Sequence, residues 1–317
     1  MTSRERVFRT IKFQTPDRMP YDFPPEYGTD FAATGMIPNP DPFLNKGVDE
    51  WGAVWDNIGE SYMGQVVDYP LKDWKDFDKL NIPDMDMDRW KHVRGIKEKA
   101  GDKFIVASGI SLFERPKLLR GAENAWTDPY CYPDELERLL DILVDMNLKA
   151  IAEYARYGVN GFGLADDLGL QNTLIMAPEI FRRFWKPRYA KLFKAVHDNG
   201  MLTFMHSCGY IVEILDDLIE VGLDVINMDQ QENMGLELLG ERFGGRITFF
   251  CPVDIQRTMV HGSLDDIRKY CRAMVKHFWR PEGGFIPRWY VDPKGAGHSS
   301  ESLRAMCEEF LKIIQEL

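Results

Sequence analysis

The sequence has few cysteines, and they follow no pairing pattern. Its 317 residues include 5 cysteines (Cys131, Cys208, Cys251, Cys271 and Cys307), scattered along the chain and odd in number. Small disulfide-bonded domains pair their cysteines at regular spacings, so this pattern does not indicate a disulfide framework. We therefore expect a reducing, cytoplasmic setting, in which a functional thiol would serve as a metal ligand or a nucleophile.

Long apolar runs and an excess of positive charge are also missing. No apolar stretch reaches the roughly 20 residues that a membrane helix needs, and residues 1–6 lack the apolar segment of a signal peptide. Lys and Arg number 39 against 50 Asp and Glu, so the formal net charge is -11. Such a charge disfavours binding to nucleic-acid phosphates. We expect an acidic protein that engages neither membranes nor nucleic acids.

From residue 88 onward, short apolar runs alternate with amphipathic helical patterns, which is typical of parallel βαβ units. No glycine-rich phosphate-binding fingerprint accompanies them, which favours a (β/α)8 barrel of the TIM type over a doubly wound sheet. We predict one α/β barrel domain over 1–317 with an N-terminal helical and loop extension: a helix over 2–13, a strand over 19–23 and a long loop over 24–47 that is a candidate lid. The predicted barrel strands are 103–108, 159–165, 202–205, 225–228, 246–251 and 284–289, and the predicted helices are 90–100, 121–126, 134–157, 178–199, 210–221, 235–243, 263–279 and 300–314.

The segment Leu202–Gly209 joins an apolar strand to a His and a Cys. Residues i and i+2 of an extended chain face the same side, so His206 and Cys208 can converge just past the strand end. An imidazole nitrogen beside a thiolate is a ligand pair suited to zinc. The spacing alone fits a buried His and Cys in the core equally well, so neighbouring residues must decide.

In a barrel of this type, chemistry takes place at the C-terminal ends of the strands. Cys251 ends a predicted strand at the same level as His206, which makes it a candidate third zinc ligand; a buried core thiol is the alternative. Three ligands would leave the fourth position open for catalysis.

Polar side chains also collect at the other strand ends. Some of them fit helix caps as well as they fit a site, in particular Asp254 and one member of the adjacent acidic pair. The candidates for catalysis are Asp166, Asp167 and Asp229, and the candidates for binding a cofactor or substrate are Asn227, Gln230, Asp254, Arg288 and Tyr290.

Several segments resemble the uroporphyrinogen decarboxylase superfamily, in particular its corrinoid-dependent methyltransferase branch. They are Arg4–Phe8 with Pro16–Pro20, Pro178–Phe181, His206–Gly209, Gly222–Asn227 and Gly283–Ile286. The resemblance implies a (β/α)8 barrel that uses Zn2+ to move a methyl group between a small methylated substrate and a corrinoid. The chain has no Asp-x-His-x-x-Gly cobalt-ligating motif, so we expect the corrinoid on a separate carrier protein.

The sequence departs from that branch at one ligand position. The branch carries a further ligating Cys after its last strand, and Phe285–Tyr290 stands in that place here. The resemblance therefore implies His206 and Cys208 as ligands and leaves the third open between Cys251, an acid such as Asp229 or Glu114, and His298. True uroporphyrinogen decarboxylases hold substrate carboxylates with an N-terminal Arg-rich segment, whereas 22–41 contains neither Arg nor Lys, which disfavours that activity.

The leading hypothesis is thus a zinc-dependent methyltransferase in which zinc acts as a Lewis acid on the leaving group. An aromatic methyl ether is one expected donor, because Trp51, Trp55, Trp289 and Tyr290 could form an apolar wall. One alternative is a metal-free decarboxylase or lyase of the same fold, acting on a carboxylated substrate. Another is a barrel that binds a small cofactor without catalysis. The direction of transfer and the assembly, with a homodimer as one option, stay open.

Overall fold

Strands and helices alternate along most of the chain in the computed structural model, which describes residues 1–36, 46–57 and 64–317. Residues 37–45 of the predicted lid loop lie outside the described residues. None of the described helices is both long enough and apolar enough to cross a membrane. The strands are β1 Phe31–Gly35, β2 Gly47–Val48, β3 Val54–Asp56, β4 Gln65–Asp68, β5 Phe104–Ser108, β6 Gly161–Ala165, β7 Leu202–His206, β8 Val225–Asn227, β9 Thr248–Cys251 and β10 Phe285–Pro287.

The α-helices are α1 Ser3–Ile11, α2 Ile96–Ala100, α3 Glu114–Arg120, α4 Ala122–Cys131, α5 Pro133–Arg156, α6 Pro178–Phe184, α7 Lys186–Asp198, α8 Val212–Glu220, α9 Leu236–Phe243, α10 Thr258–His261, α11 Leu264–Phe278 and α12 Ser300–Glu316. Short 3₁₀ helices cover Trp74–Lys79, Met87–Trp90 and Gln231–Asn233.

Seven strands of the described chain form one parallel sheet in the order β1-β5-β6-β7-β8-β9-β10. Asp22 closes the ring between its two edges. The Asp22 amide donates to the Pro287 carbonyl at 3.0 Å and the Asp22 carbonyl accepts from Trp289 N–H at 3.0 Å, while an antiparallel bridge joins Asp22 to Thr29 just before β1. The predicted TIM-type barrel is confirmed. The predicted strand over 19–23 is reduced to this bridge.

The prediction of an uninterrupted loop over 24–47 is wrong where β1 lies. Phe31–Gly35 pairs in parallel with Phe104–Ser108 along its whole length of 5 residues. Ala and Gly have weak strand propensity, so the segment carries little signal of its own, and pairing with β5 supplies what the local sequence does not.

Two helix predictions also need correction. The single helix predicted over 178–199 is two helices, α6 and α7, that meet at Trp185. Pro187 explains the break, because it lacks an N–H and disfavours helical geometry in the residue before it. The second correction is α3, which follows β5 in a stretch where no helix was predicted.

The N-terminal end of the barrel is closed. A layer of aromatic rings fills the interior, with centroid distances of 5.1 to 6.2 Å around the ring of contacts among Phe31, Phe104, Phe204 and Phe250. Helix α1 covers this layer from below with the buried side chains Val7 and Ile11. Access to the barrel interior is therefore from the C-terminal ends of the strands.

An ion network fixes α1 in place. Arg6 donates to Asp17 at 2.6 Å and to the buried Asp30 at 2.9 Å, and Arg18 donates to Asp30 at 2.9 Å. The Arg6 guanidinium holds the pKa of Asp17 below its ordinary value. Three of these four residues, Arg6, Asp17 and Arg18, lie in the N-terminal segments that carry the family resemblance, so those segments stabilise the fold.

Candidate metal centre

Three potential ligand atoms converge just beyond the ends of β6 and β7. His206 is the last residue of β7, and its Nε2 lies 3.4 Å from Cys208 Sγ and 3.3 Å from Asp167 Oδ1. All three atoms lie within 4.8 Å of one another, and no other such cluster of His, Cys, Asp or Glu occurs in the described ranges. Ala165 of β6 pairs with His206 of β7, which places Asp167 at the level of the His-x-Cys turn.

Close contact between two loops holds this arrangement. A Cβ on Gly209 would lie 2.2 Å from the Gly169 carbonyl oxygen, and Gly209 has a φ of +78°, so a side chain is excluded by space and by backbone geometry. Tyr210 N–H donates to the Leu170 carbonyl at 2.7 Å, and Cys208 N–H donates to Asp167 Oδ1 at 2.8 Å. The loops after β6 and β7 therefore meet backbone to backbone and bring Asp167 against the His-x-Cys turn.

Asn227 fixes the orientation of the His206 ring. Asn227 Oδ1 lies 2.8 Å from His206 Nδ1 and 2.8 Å from Arg288 Nη1. A guanidinium can only donate, so the Asn227 atom that faces it is the oxygen, and His206 Nδ1 must carry the proton that it donates. In the neutral ring, Nε2 is then the atom that carries the lone pair, and it is directed at Cys208 and Asp167. Such a partner on the far nitrogen is typical of a metal-ligating His.

The electrostatics of the cluster favour a cation. Burial opposes protonation of His206, but the charge of Asp229 and the contacts with Asp167 and Cys208 raise its pKa well above the ordinary value. Burial raises the pKa of Asp167, but His206 outweighs this effect and lowers it overall. Burial likewise raises the pKa of the Cys208 thiol, and His206 opposes that rise. A metal ion would take the place of the protons on Nε2 and Sγ.

The two distances from His206 Nε2 to the other ligand atoms fit a tetrahedral zinc ion. Bonds of about 2.0–2.2 Å to nitrogen or oxygen and about 2.3 Å to sulfur put neighbouring ligand atoms roughly 3.3–3.6 Å apart. The distances from His206 Nε2 to Sγ and Oδ1, 3.4 and 3.3 Å, fall within that range. The group supplies one nitrogen, one thiolate and one carboxylate, a mixed set that zinc accepts, and leaves a fourth position for another ligand.

The structure does not place Cys251 in this group, which corrects the expected ligand geometry. Cys251 ends β9, but its side chain is fully buried in the core between the sheet and the helices, and Phe250 is the residue that faces the barrel interior. Alternation along the strand sends neighbouring side chains to opposite faces. Cys251 Sγ lies 4.0 Å from the Ile226 carbonyl, and burial raises its pKa to about 12.

Substituting Cys251 with serine is expected to leave metal content unchanged while lowering the free energy of unfolding by about 1–2 kcal/mol, because a hydroxyl would be buried in an apolar layer. Metal content by elemental analysis and urea denaturation check this. Cys208→Ser is the matched comparison and should lose the metal. Loss of metal from both variants would return Cys251 to the ligand set.

The two adjacent acids, Asp166 and Asp167, have different surroundings and different contacts. Asp166 is fully buried and accepts backbone N–H groups of Leu112, Phe113 and Glu114 at 2.7–3.1 Å as well as the Tyr189 hydroxyl at 2.7 Å. It thereby anchors the start of α3. Its backbone N–H donates to the His206 carbonyl at 3.0 Å, but its carboxylate is not one of the three clustered ligand groups. Asp167, the next residue, has a side chain that is 42% exposed and joins His206 and Cys208. Asp166 was predicted to be a catalytic residue. In the structure it instead stabilises the start of α3.

Asp229 and Gln230 lie behind the ligand group. Asp229 is buried, accepts from Asn227 Nδ2 at 2.9 Å and faces His206 Nδ1 across 3.9 Å. Gln230 Oε1 accepts Gly209 N–H at 2.8 Å and so holds the turn after Cys208. Neither residue is a member of the group of three.

Three other candidates lie toward the loop after β9. Asp254 is buried and accepts from the N–H groups of Arg257 and Thr258, so it caps α10, as one alternative anticipated. His298 Nε2 donates to the Ile255 carbonyl at 3.0 Å, and His298 is not in the ligand group. Tyr290 borders an open groove of about 490 Å³ beside the barrel mouth.

The expected aromatic wall is only partly present. Trp51 is buried beneath the Arg115 guanidinium, 5.2 Å from the ring centroid, and Trp55 donates to Asp49 within the small antiparallel sheet of β2, β3 and β4. Both rings therefore stabilise that sheet. Trp289 and Tyr290 follow β10 at the mouth and are partly buried.

Glu114 begins α3 and is mostly buried, with a Lys117 partner. Burial raises its pKa from 4.5 to about 7, and Lys117 only partly opposes the rise. A raised pKa means that the folded protein binds the proton more tightly than the unfolded chain. The stability contribution of Glu114 is therefore complete below pH ~4.5 and is lost as pH rises through ~7.

We expect Glu114→Gln to remove this loss. In metal-free wild-type protein, the free energy of unfolding should fall by up to about 3 kcal/mol between pH 5 and 8, at about 1.4 kcal/mol per pKa unit. The Gln variant should show a flatter profile. Urea denaturation across that pH range measures it, with Glu123→Gln, an exposed acid at the start of α4, as the control. Parallel profiles for wild type and Glu114→Gln would contradict the expectation.

Sequence reasoning missed two features of the site. Asp167 was a candidate for catalysis and not for ligation, and Asn227 was a candidate for binding a cofactor and not for orienting the His. The sequence contained a signal for both residues. Asp167 lies two residues after the end of β6, just as Cys208 lies two residues after the end of β7. Asn227 is the last residue of β8, the strand next to β7. Neighbouring parallel strands place their ends together.

Comparison with known proteins bears on this site. The sequence profile of the family described as uroporphyrinogen decarboxylase (URO-D) matches residues 58–288. Among curated proteins, the chain is 23% identical over 172 residues to the methylcobamide:CoM methyltransferase MtbA of Methanosarcina mazei, covering 52% of this chain and 50% of that protein. It is 22% identical over 264 residues to a uroporphyrinogen decarboxylase of Geotalea uraniireducens, covering 78% and 74%.

A second methyltransferase and a solved structure extend the comparison. MtaA of Methanosarcina barkeri is 24% identical over 144 residues, covering 45% of this chain and 40% of that protein. The chain thus spans half or less of the length of the methyltransferases that it matches. The structure of a methyltransferase from Methanosarcina mazei superposes with a TM-score of 0.71 at 17% identity, covering 99% of both chains, and so shares the fold.

Proposed function

The chain belongs to the uroporphyrinogen decarboxylase family, and we propose that it is a zinc-dependent methyltransferase of that family. It would move a methyl group between a small methylated substrate and a corrinoid carried by a partner protein. The observation that carries the proposal is the convergence of Asp167, His206 and Cys208 at the C-terminal mouth of the barrel, with Nε2 of His206 directed at the other two ligand atoms. The names of the related MtbA and MtaA support the reaction class.

The residues present fit zinc in number, chemistry and spacing. When bound, zinc would supply a Lewis acid beside the heteroatom that loses the methyl group, and the partner's corrinoid would supply the cobalt with which that methyl is exchanged. The donor's bond between carbon and heteroatom breaks, the heteroatom keeps the electron pair, and a proton must reach it.

The chain's own groups would hold the ligands in position and offer a hydrogen bond near that heteroatom, with the proton itself coming from water at the mouth. Asn227 accepts the Nδ1–H of His206, and Asp229 lies behind it, an arrangement that raises the basicity of a ligating imidazole. Burial, with the nearby charges of Asp229 and Cys208, raises the pKa of Tyr290 to about 12. Its phenol therefore keeps its proton near neutral pH and can donate a hydrogen bond at the mouth.

The partner would approach from the C-terminal ends of the strands. The N-terminal end is closed by α1 and the phenylalanine layer, which leaves the mouth as the route to the ligand group. An aromatic methyl ether is our first choice of donor, because the rings of Phe204 and Phe250 face the interior. We further propose a cytoplasmic enzyme in which residues 1–317 act as one barrel domain, with a homodimer as one assembly to test.

The experiment is zinc analysis combined with methyl transfer. Purified protein is loaded with Zn2+, and a panel of methyl ethers, amines and thiols is tested with free cob(I)alamin and methylcobalamin by the change in corrinoid absorbance. About one zinc per chain and methyl transfer with one panel member support the proposal. The control is Cys131→Ser, because Cys131 is exposed at the end of α4 and is not a member of the group of three.

Two results would overturn the proposal. If zinc does not bind the wild-type protein, the metal-free decarboxylase or lyase would be favoured. The similarity to the uroporphyrinogen decarboxylase of Geotalea uraniireducens supports that alternative. Bound zinc with no methyl transfer to or from any corrinoid would exclude the reaction while leaving the metal site in place.

A further inference from the structure

Arg288 is a cation at the barrel mouth without a carboxylate partner. It follows β10 and faces the interior, because Ile286, two residues earlier, packs with Phe250 inside the barrel. Within 1–36, 46–57 and 64–317, no Asp or Glu oxygen lies within 4.0 Å of its guanidinium, although the side chain is partly buried. A partly buried guanidinium that has no carboxylate partner is available to an anionic group entering the barrel.

The contacts that Arg288 does make fix its position and leave one edge open. Nη1 donates to Asn227 Oδ1 at 2.8 Å, Nε donates to the Trp289 carbonyl at 3.2 Å, and the guanidinium stacks on the Phe250 ring with 4.6 Å between Cζ and the centroid. Nη2 has no hydrogen-bond partner in the described part of the chain. A held guanidinium with a free edge is suited to binding a carboxylate.

The same Asn227 oxygen that accepts from Arg288 accepts from His206. Arg288 Nη1 and His206 Nδ1 both lie 2.8 Å from it, so the guanidinium and the metal-ligating imidazole are neighbours. A molecule that placed one group on Arg288 and another at the metal would therefore need only a short body between the two groups.

The barrel interior opposite Arg288 has room for such a body. Inward-facing positions near the ends of β1, β5 and β6 are small residues, and two of them, Ser108 and Ala165, are exposed although they lie inside the ring of strands. A Cβ on Gly35 would lie 2.6 Å from Ser108 Oγ, and one on Gly163 would lie 3.7 Å from Phe204 Cβ, so both glycines face the interior. Below them is the phenylalanine layer, an apolar floor.

We propose that Arg288 binds a carboxylate of the methyl donor and holds the methylated heteroatom at the Asp167, His206 and Cys208 group. The proposal rests on the proposed methyl transfer for the role of the bound molecule. It makes the donor a methylated small carboxylic acid: the acid group lies on Arg288, the organic body lies over the phenylalanine floor, and the heteroatom reaches the metal. Arg288 is a residue that determines specificity, and it occupies the region where related methyltransferases are expected to carry a further ligand.

The test compares acids with their neutral amides. Methoxyacetate and methoxyacetamide form one matched pair and methoxybenzoate and methoxybenzamide another, and binding is measured by calorimetry on metal-free and zinc-loaded wild-type protein. We expect each acid to bind at least roughly tenfold more tightly than its amide in both forms of the protein, as a charge-assisted hydrogen bond provides. Metal-free protein matters because a carboxylate can also bind zinc directly.

Two variants at Arg288 and one control decide the assignment. In Arg288→Met the preference for the acid should fall to about one, whereas Arg288→Lys should keep part of it, because lysine retains the charge but not the planar fork. Arg257→Met is the control, since Arg257 is exposed in the loop after β9 and pairs with Glu232 at 3.8 Å; its preference should equal that of wild type.

The results separate this inference from the proposed reaction. Equal binding of acid and amide to wild-type protein, or an unchanged preference in Arg288→Met, would overturn the role of Arg288 even if methyl transfer is observed. A preference that disappears only in Arg288→Met supports that role even if no methyl transfer occurs, in which case the reaction class fails and the carboxylate site stands.

Discussion

Replacing His206 with alanine is expected to remove the metal ion and to slow methyl transfer at least about a thousandfold. A Lewis acid at the departing heteroatom supplies several kcal/mol, and each ~1.4 kcal/mol corresponds to a factor of ten in rate. His206 is central to the group, because its Nε2 lies within 3.4 Å of both Cys208 Sγ and Asp167 Oδ1. Elemental analysis and single-turnover transfer to cobalamin measure the two effects.

The matched control for this substitution is His298→Ala. His298 is also partly buried at the mouth, but its Nε2 is engaged with the Ile255 carbonyl at 3.0 Å. We expect this variant to keep its zinc. A full equivalent of zinc in His206→Ala would show that the metal is held elsewhere, and the ligand group would have to be abandoned.

The His-x-Cys pair could be predicted from sequence because its geometry is local. Two residues apart at a strand end face the same side, whatever the rest of the fold does. The third member of the cluster, Asp167, could not be predicted in this way. Cys251 was predicted as a ligand because it ends its strand at the same height along the barrel as His206. Height does not determine which way a side chain points. Phe250 points into the barrel, so Cys251 points toward the helices. A shift of one residue in a strand exchanges its two faces.

The division between Asp166 and Asp167 depends on contacts that are distant in sequence. Asp166 is bound by N–H groups more than 50 residues earlier and by Tyr189, 23 residues later. Asp167 meets His206, 39 positions further along. Two adjacent acids after a strand indicate a polar site at the strand end. Which of the two faces the barrel mouth depends on the position of α3, because α3 supplies the N–H groups that bind Asp166.

The fold was more predictable than the site, since its signal is spread over many residues. The alternation of strands and helices predicted the barrel, and the family resemblance is confirmed. The missed elements include β1, α3 and the four-residue α10, which have short or weak patterns of their own. β1 forms because Phe104–Ser108 offers it a free edge. Arg6 and Arg18 both donate hydrogen bonds to Asp30, the residue before β1. These bonds explain structurally why the N-terminal segments contain the two arginines.

Asp166→Ala is expected to be the most destabilising single change near the metal group. The carboxylate is fully buried and accepts four hydrogen bonds, from the N–H groups of Leu112, Phe113 and Glu114 and from the Tyr189 hydroxyl. Alanine would leave these donors buried and without that acceptor. An unsatisfied buried donor costs about 1–3 kcal/mol, and partial relaxation limits the total to about 3–5 kcal/mol. Urea denaturation of metal-free protein measures the change in unfolding free energy.

Asp167→Ala is the comparison that gives this prediction its meaning. Asp167 has a side chain that is 42% exposed, so its loss should change the unfolding free energy of metal-free protein by less than about 1 kcal/mol while weakening zinc binding. Asp166→Ala would then mainly lower the stability of the protein, whereas Asp167→Ala would mainly lower its affinity for zinc. If Asp166→Ala unfolds like wild type yet abolishes methyl transfer, its carboxylate takes part in the reaction, and the loop before α3 must open to admit it.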